Sequence, residues 1–155
     1  MTRAEKIQYK QNLKQAGLAI IEQRMAAAKA QMEEAQQAAN QEEKSSAGDK
    51  YETSRAMGHL QKDMHARQLA EQTKELAALH TVNVDNLYET ATTGALIQGE
   101  KMAFFIAAGL GKQTIDNKII FFLSPQAPLA QQLQHKKAGD HFVFNAFSTI
   151  IVDLY

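Results

Sequence analysis

A regular apolar seam in the first quarter of the chain constrains its fold more than any other feature. Apolar side chains recur there alternately every three and four positions, at Leu18, Ile21, Met25, Ala28, Met32, Ala35 and Ala39. This heptad spacing places one apolar stripe along one face of a helix. A single helix cannot bury such a stripe, so the sequence predicts a second helix packed along it.

The second helix is expected in the same chain. A less regular apolar series follows at Met57, Leu60, Met64, Leu69, Leu76 and Leu79. We interpret Met57 and Met64 as core residues of the helix pair. Between the two series lies "SSAG", and Ser and Gly are poor residues for a helix interior. The sequence therefore predicts an antiparallel coiled-coil helical hairpin over residues 1–80, with its tip near 44–50. The alternative is one continuous helix that dimerises.

Residues 81–155 have a different composition, because they hold both prolines and all seven phenylalanines. The runs "KMAFFIAAG", "KIIFFLS", "DHFVFNAF" and "STIIVDLY" predict strands, and "GLGK" and "DNK" predict turns. "APLAQQLQHKKAGD" predicts one short helix, with Pro128 in its first turn and Gly139 just past its end or in the following turn. The predicted fold class is α+β: a helical hairpin followed by an antiparallel sheet with one short helix.

Charge and composition exclude several classes of protein. Lys+Arg and Asp+Glu both number 17, so the formal net charge is zero, which argues against strong non-specific binding to nucleic acid. The chain has no cysteine, which excludes disulfides and thiolate metal sites. No apolar run reaches the roughly 18 to 20 residues that span a bilayer, and the N-terminus lacks the apolar segment of a signal peptide. We expect a cytoplasmic monomer with no membrane partner.

The segment "LSPQAPLAQQLQHKKAGDHFVF" resembles part of the bacterial Gre transcript-cleavage factors. Their C-terminal domain is FKBP-like and carries a Ser-Pro, a Pro-Leu, a leucine, a Lys-Lys and a Gly-Asp. The matching residues here are Ser124, Pro125, Pro128, Leu129, Leu133, Lys136, Lys137, Gly139 and Asp140. His135 stands where the family commonly has glycine. The order of the parts is also similar, and it implies an FKBP-like polymerase-docking domain over 81–155.

The resemblance implies a function and partners. In Gre factors the FKBP-like domain docks at the rim of the secondary channel of RNA polymerase, and the coiled coil enters the channel. Acidic tip residues help to hold a second Mg²⁺ in the polymerase active site, which then hydrolyses backtracked RNA at the nascent 3′ end. Such hydrolysis benefits from two metal ions about 4 Å apart, which stabilise the attacking and leaving oxygens. The expected partners are therefore the RNA polymerase core and, through it, the nascent RNA.

On this reading the chain is not itself an enzyme. It stimulates the intrinsic cleavage activity of the polymerase in trans and has no tightly bound cofactor of its own, only Mg²⁺ shared with the polymerase. The alternative is a regulatory protein that binds the same channel without supplying a metal ligand. A third reading is a structural coiled-coil protein with an unrelated sheet domain.

The tip residues follow from the family pattern of Gly-Asp, two residues, and Glu-Asn. Here "GDKYE" supplies Asp49 as the implied catalytic ligand of the shared Mg²⁺, helped by Glu52 three residues later. If Tyr51 is aligned instead, Arg55 falls on a basic position of the family and the acidic pair no longer matches. The Glu-Asn dipeptide is missing in either register.

These residues also have a structural interpretation. Asp49 and Glu52 fit a capping box at the start of the second helix, where the helix dipole favours carboxylates. Lys50 and Arg55 would contact RNA phosphates or lie on the helix surface.

The implied docking surface contains residues of the sheet domain. Ser124, Pro125 and Pro128 would form it, supported by Lys136 and Lys137. The alternative for Ser124 and Pro125 is that they shape the loop that leaves a strand.

Overall fold

The computed structural model describes the backbone of residues 1–42 and 48–155; the side chains of 42–52, 54 and 55 lie outside the description. Two compact units are present. One consists of Met1–Ala19 together with Glu75–Tyr155, and the other is Ile20–Lys74.

Two long helices form the first half of the chain. Helix α1 spans Arg3–Glu42 and helix α2 spans Gly48–Thr81. Thr2 and Glu5 form a capping box at the start of α1, in which Thr2 Oγ1 accepts from Glu5 N at 3.1 Å and Thr2 N donates to Glu5 Oε2 at 2.6 Å. The backbone hydrogen bond from Thr2 is the main reason why the pKa of Glu5 is lowered.

The unit Ile20–Lys74 contains a helical hairpin, as predicted. Lys62 Nζ donates to Gln36 Oε1 at 2.9 Å, and a Cβ added to Gly58 would lie 3.2 Å from Ala39 Cβ. Residue numbers rise along α1 as they fall along α2 in these contacts, so the two helices run antiparallel. The predicted seam of α1 is confirmed, because its members are buried or half-buried throughout: Leu18, Ile21, Met25, Ala28, Met32, Ala35 and Ala39.

The predicted seam of α2 is wrong near the tip. Met57, Leu60 and Met64 are 54%, 63% and 50% exposed. The shielded positions instead follow a heptad of their own, which includes polar residues: Gly58, Lys62, His65, Leu69, Gln72, Leu76 and Leu79. Small residues explain why the shielded face of α2 differs from the predicted one. Gly58 packs against Ala39 and lets the helices approach closely, and Met57 beside it is then turned outward.

The sheet domain has seven strands and one short helix. The strands are β1 Leu96–Gln98, β2 Ala103–Ile106, β3 Gly111–Ile115, β4 Lys118–Leu123, β5 His141–Phe144, β6 Phe147–Ile150 and β7 Asp153–Leu154, with helix α3 at Pro128–Leu133. Five strands form one sheet in the order β3-β4-β2-β1-β7, and β5 and β6 form a separate hairpin. The fold class is therefore α+β, as predicted.

The sheet is mostly antiparallel, but one pair departs from the prediction. Strands β2 and β4 are parallel, with Phe104 beside Phe121. The cause is strand β3, which folds back on β4 and thereby places β4 between itself and β2. The predicted strand "STIIVDLY" is also divided into β6 and β7. Ile151 N donates to Asp140 O, whereas Val152 N donates to Gln98 O, so the chain leaves the hairpin here and joins the five-stranded sheet.

Aromatic rings fill the core of the domain. Phe104 packs against Phe121, Phe142 and Phe144, with ring centroids 5.2–5.5 Å apart. Helix α3 adds two buried residues, Ala130 and Leu133, to the same cluster.

The predicted ends of α3 are confirmed in part. Pro128 lies in the first turn. Backbone N–H groups there have no partner within the helix, so a proline, which lacks the N–H, loses no helical hydrogen bond. The helix ends at Leu133, and Gly139 lies in the following turn with a φ of +94°.

Candidate functional site

The predicted catalytic residues lie at the start of α2. This helix begins at Gly48, so the backbone places Asp49 in its first turn and Arg55 in its second. The side chains of Asp49, Lys50, Glu52 and Arg55 lie outside the described residues, as do residues 43–47, which include much of the predicted tip near 44–50. The metal-binding and RNA-binding roles of these residues, and their capping role, all remain predictions.

Ser124 shapes the loop between β4 and α3. Its hydroxyl donates to Gln126 Oε1 at 2.7 Å and accepts from Gln126 N at 3.2 Å, while its carbonyl accepts from Ala127 N at 3.0 Å. The loop is held in one conformation by its own side chains. Pro125 within it is half-buried and Pro128 after it is exposed, so both are accessible to a partner.

The predicted docking residues fall into two groups. Pro128 begins α3, whereas Lys136 and Lys137 follow its end. The six residues of α3 are about 9 Å long, and this length lies between the two groups. The segment after α3 is fixed by backbone hydrogen bonds, since Lys136 O accepts from Ala91 N at 2.8 Å and Lys137 N donates to Asp140 Oδ2 at 2.9 Å.

His135 joins α3 to this lysine pair in a left-handed conformation, with a φ of +68°. Its N–H donates to Ala91 O at 3.1 Å, which holds the strained residue in place. A positive φ favours glycine, because a side chain there is crowded by the backbone. The position therefore has the backbone geometry of a glycine although the sequence has histidine.

A contact that the sequence did not predict joins the end of α2 to the Ser124 loop. Glu75 Oε2 accepts from Gly109 N at 2.8 Å, and a Cβ on Gly109 would lie 3.4 Å from Glu75 Oε1 and 3.5 Å from Ser124 Cβ. The loop between β2 and β3 thus lies directly between α2 and the predicted docking loop. A glutamate on a helix surface gives no signal of such a bond in the sequence.

A ladder of lysines along α1 contacts the C-terminal part of the same unit. Lys6 pairs with Asp153 at 3.2 Å. Lys14 Nζ donates to the carbonyls of His80 and Val82 at 3.1 and 2.9 Å. Between them, Lys10 belongs to the same ladder because residues four apart share a helix face.

Lys10 is completely buried. Its Nζ donates to Asn86 O at 2.7 Å and lies 4.7 Å from the centroid of the Tyr88 ring, an arrangement that supports a cation–π interaction. Burial lowers the pKa of Lys10 from 10.5 to about 8, and the charge of Asp85 opposes this shift. The sequence indicated the burial of Lys10 only by spacing, because Lys10 lies three residues before the buried Leu13 and so shares its helix face.

The apolar residues displaced from the seam of α2 form an exposed patch, composed of Met57, Leu60 and Met64. A shallow cavity of about 410 Å³ adjoins two of them and is also lined by Arg67 and Glu71. Within the described ranges, neither α1 nor α2 has a segment long and apolar enough to cross a membrane.

Comparisons with known proteins add no family. No family model matches the chain, and neither the curated proteins nor the solved structures contain a match. Among the side chains that the structure describes, no three histidine or acidic residues cluster in a way that could hold a metal ion. The acidic residues of the predicted tip are not among those side chains.

Proposed function

We propose that this protein is a Gre-like transcription elongation factor. In this proposal the sheet domain is FKBP-like and docks on the RNA polymerase core. The hairpin enters the secondary channel, and the tip stimulates cleavage of backtracked RNA. The chain supplies a part of the active site in trans and is not an enzyme on its own.

The geometry at His135 carries this proposal. The Gre-like motif has glycine at this position, and the residue here has a φ of +68°, a conformation that glycine adopts at least cost. The sequence departs from the motif at this point, while the backbone has a conformation that a glycine would favour. The order of the elements, a helical hairpin and then a mostly antiparallel sheet with one short helix, supports the same proposal.

The proposed chemistry belongs to the polymerase. Mg²⁺ takes oxygen ligands and retains several waters. A carboxylate of Asp49 at the tip would complete the coordination of a second Mg²⁺, and Glu52 would assist it. The two ions would then stabilise the attacking water and the leaving oxygen of the RNA phosphodiester.

A cleavage assay tests this function directly. Adding the protein to a stalled, backtracked complex of the cognate polymerase with Mg²⁺ is expected to release short RNA fragments from the 3′ end. Asp49→Ala should abolish the release and leave binding to the core enzyme intact. Asp63→Ala is the matched control, because Asp63 is an exposed aspartate of the same helix, 14 residues or about 21 Å further along it.

One observation favours a second function. Thr53 follows Glu52 where the Gre pattern has asparagine, so the acidic motif is incomplete. A non-cleaving regulator would bind the polymerase core in a pull-down experiment and would release no fragments. Asp49→Ala and Asp63→Ala would then have the same effect on its binding to the core enzyme. Absence of binding to the core enzyme would refute both functions.

A further inference from the structure

A pocket opens in the sheet domain between the β1–β2 turn and strand β6. Its cavity volume is about 380 Å³, within the range of pockets that bind ligands. The rings of Phe104 and Phe144 line it, Met102 lies in its wall, and Phe147 beside it is 77% exposed. An aromatic side chain this exposed on a strand is unusual, because it leaves a large apolar surface in water.

The hydrogen-bonding pattern of the β5–β6 hairpin determines which backbone groups point outward. Asn145 and Ala146 form a two-residue turn with φ values of +51° and +67°. Such a turn makes the flanking pair, Phe144 and Phe147, a hydrogen-bonded pair. The next pair, Val143 and Ser148, is then not hydrogen-bonded across the hairpin, so its N–H and C=O groups point away from it.

The outward groups of β5 have a partner. In the amide orientation that satisfies both groups, the Gln132 side chain donates to Val143 O at 3.1 Å and accepts from Val143 N at 3.0 Å. An amide side chain of α3 therefore takes the place of a neighbouring strand on this edge. The agreement confirms the outward direction of the Val143 groups.

The outward groups of β6 belong to Ser148 and, two residues later, to Ile150. In the part of the chain that the structure describes, no hydrogen bond to these groups is found, and Ser148 is exposed. They lie on the edge that borders the pocket, because Ser148 and Thr149 line it. An unpaired edge of this kind is a template for another strand.

We propose that β6 and its pocket bind an extended polypeptide segment of a partner protein. The segment would pair with the backbone of Ser148 and Ile150 as a third strand, and one of its apolar side chains would enter the pocket over Phe104 and Phe144. Only a polypeptide supplies donors and acceptors at the spacing of a strand, and a pocket beside the edge then selects the side chain.

Charge at the mouth of the pocket favours a neutral apolar segment. Glu100 and Lys101 are adjacent there and carry opposite charges, so neither an acidic nor a basic occupant gains from the rim as a whole. This site is separate from the predicted docking loop. Strand β4 runs parallel to β2 and ends at Leu123 before Ser124, whereas the pocket lies at the start of β2.

Titration of the full chain with defined peptides tests this proposal. The probes are acetyl-Thr-Val-Xaa-Val-Thr-amide peptides in which Xaa is leucine, phenylalanine, methionine or aspartate. The amide spectrum of ¹⁵N-labelled protein reports binding. We expect the apolar peptides to saturate the protein below about 1 mM, a typical weak affinity, and to shift the amide signals of Ser148, Ile150 and Met102. The aspartate peptide should not bind.

Backbone pairing is tested without changing the protein. N-methylation of the peptide residues that face Ser148 and Ile150 removes two hydrogen bonds and should weaken binding about tenfold or more. N-methylation of the alternate residues, whose N–H groups point away, should have much less effect. If the two N-methylated peptides bind equally, backbone pairing is refuted, and the site is instead a pocket for small apolar molecules.

Substitutions in the protein test the same backbone pairing from the other side of the interface. Ser148→Pro removes the outward N–H while leaving the hydrogen bonds of the hairpin intact, since proline is tolerated on such an edge. It should abolish binding, and Phe147→Ala should weaken it. Val152→Ala, at another exposed apolar residue, should not change it. Lack of saturation by every peptide, or a dimer in solution that Ser148→Pro converts to a monomer, would overturn the proposal.

Discussion

Lys10 makes the stability of the fold depend on pH between about 8 and 10.5, a pH range in which few side chains titrate. It is fully buried, it donates to Asn86 O at 2.7 Å, and burial lowers its pKa from 10.5 to about 8. Replacing it by methionine keeps the length of the side chain and removes the charge. The substitution therefore separates the cost of burying the charge from the packing of the side chain.

The lowered pKa sets the size of the effect. One pKa unit corresponds to about 1.4 kcal/mol. The change from 10.5 to about 8 therefore corresponds to at most about 3.5 kcal/mol. At neutral pH, Lys10→Met relieves this cost but leaves Asn86 O without its donor, which costs about 1–3 kcal/mol. We therefore expect little net change at pH 7.

The sign of the effect follows from proton binding. Below pH 8 Lys10 is protonated in both the folded and the unfolded protein, so its contribution to stability is constant. Between pH 8 and 10.5 the folded protein has released this proton while the unfolded chain still binds it. Stability rises with pH wherever the unfolded state binds more protons. The Lys10 contribution to the free energy of unfolding should therefore rise across this interval.

Urea denaturation at a series of pH values from 7 to 10 provides the measurement. The free energy of unfolding of the unmodified protein should rise above pH 8, and that of Lys10→Met should not. Lys14→Met is the matched control, because it removes a half-buried lysine of the same ladder and keeps Lys10. If Lys10→Met shows the same rise as the unmodified protein, the assignment of the proton to Lys10 is wrong.

Four further substitutions test other parts of the structure by the same denaturation assay, extended above pH 10 for Tyr155. Gly94→Ala should cost about 3 kcal/mol or more, since a φ of +95° is strained and the new Cβ would lie 2.6 Å from Asn83 O; Gly111→Ala, with a φ of +76° and open space, should cost only about 1–2 kcal/mol. Gly17→Ala should cost about 1 kcal/mol, because the gain in helix propensity is outweighed by contacts at 2.8 and 3.0 Å. Tyr155→Phe should remove a fall in stability above pH 10, because burial raises the pKa of Tyr155 from 10.0 to about 12 and the unfolded state loses its proton first.

The two helices of the hairpin differ in how far their packing could be predicted. In the part of α1 that belongs to the hairpin unit, from Ile20 onward, the buried positions are apolar, so hydrophobic spacing alone identifies them. In α2 the shielded heptad includes Lys62, His65 and Gln72, while the largest apolar residues near the tip are exposed. A pattern of apolar letters cannot identify a seam that is partly polar. The close approach at Gly58, which decides the orientation of α2, depends on the partner helix.

The sheet was predictable where its strands are buried on both faces. Strand β2 is buried at every position, and its run of aromatic residues marks it clearly. Strand β3 contains Gly111, Lys112, Gln113 and Thr114 and is largely exposed, so it has no apolar signal. Strand β1 has only three residues. The parallel pairing of β2 and β4 is a tertiary property, since it depends on β3 lying at the outer edge.

The site residues show the same limit. The sequence identified the Ser124 loop because Ser-Pro is a local motif, but not the bond from Glu75 to Gly109, which joins residues 34 positions apart. The buried charge of Lys10 is likewise set by Asn86 and Tyr88, far along the chain. Local chemistry is visible in a sequence, whereas a contact between distant segments requires the fold.

The polar seam of α2 has a consequence for the proposed function. Polar residues at heptad positions reduce the stability of a coiled coil but fix its register. The bond from Lys62 to Gln36 would be broken if α2 slipped along α1 by one heptad, a displacement of about 10 Å. A catalytic group misplaced by even about 1 Å can lose two orders of magnitude in rate. A hairpin that delivers the Asp49 carboxylate to a metal ion in another protein therefore needs a fixed register more than it needs maximal stability, and polar seam residues provide that register.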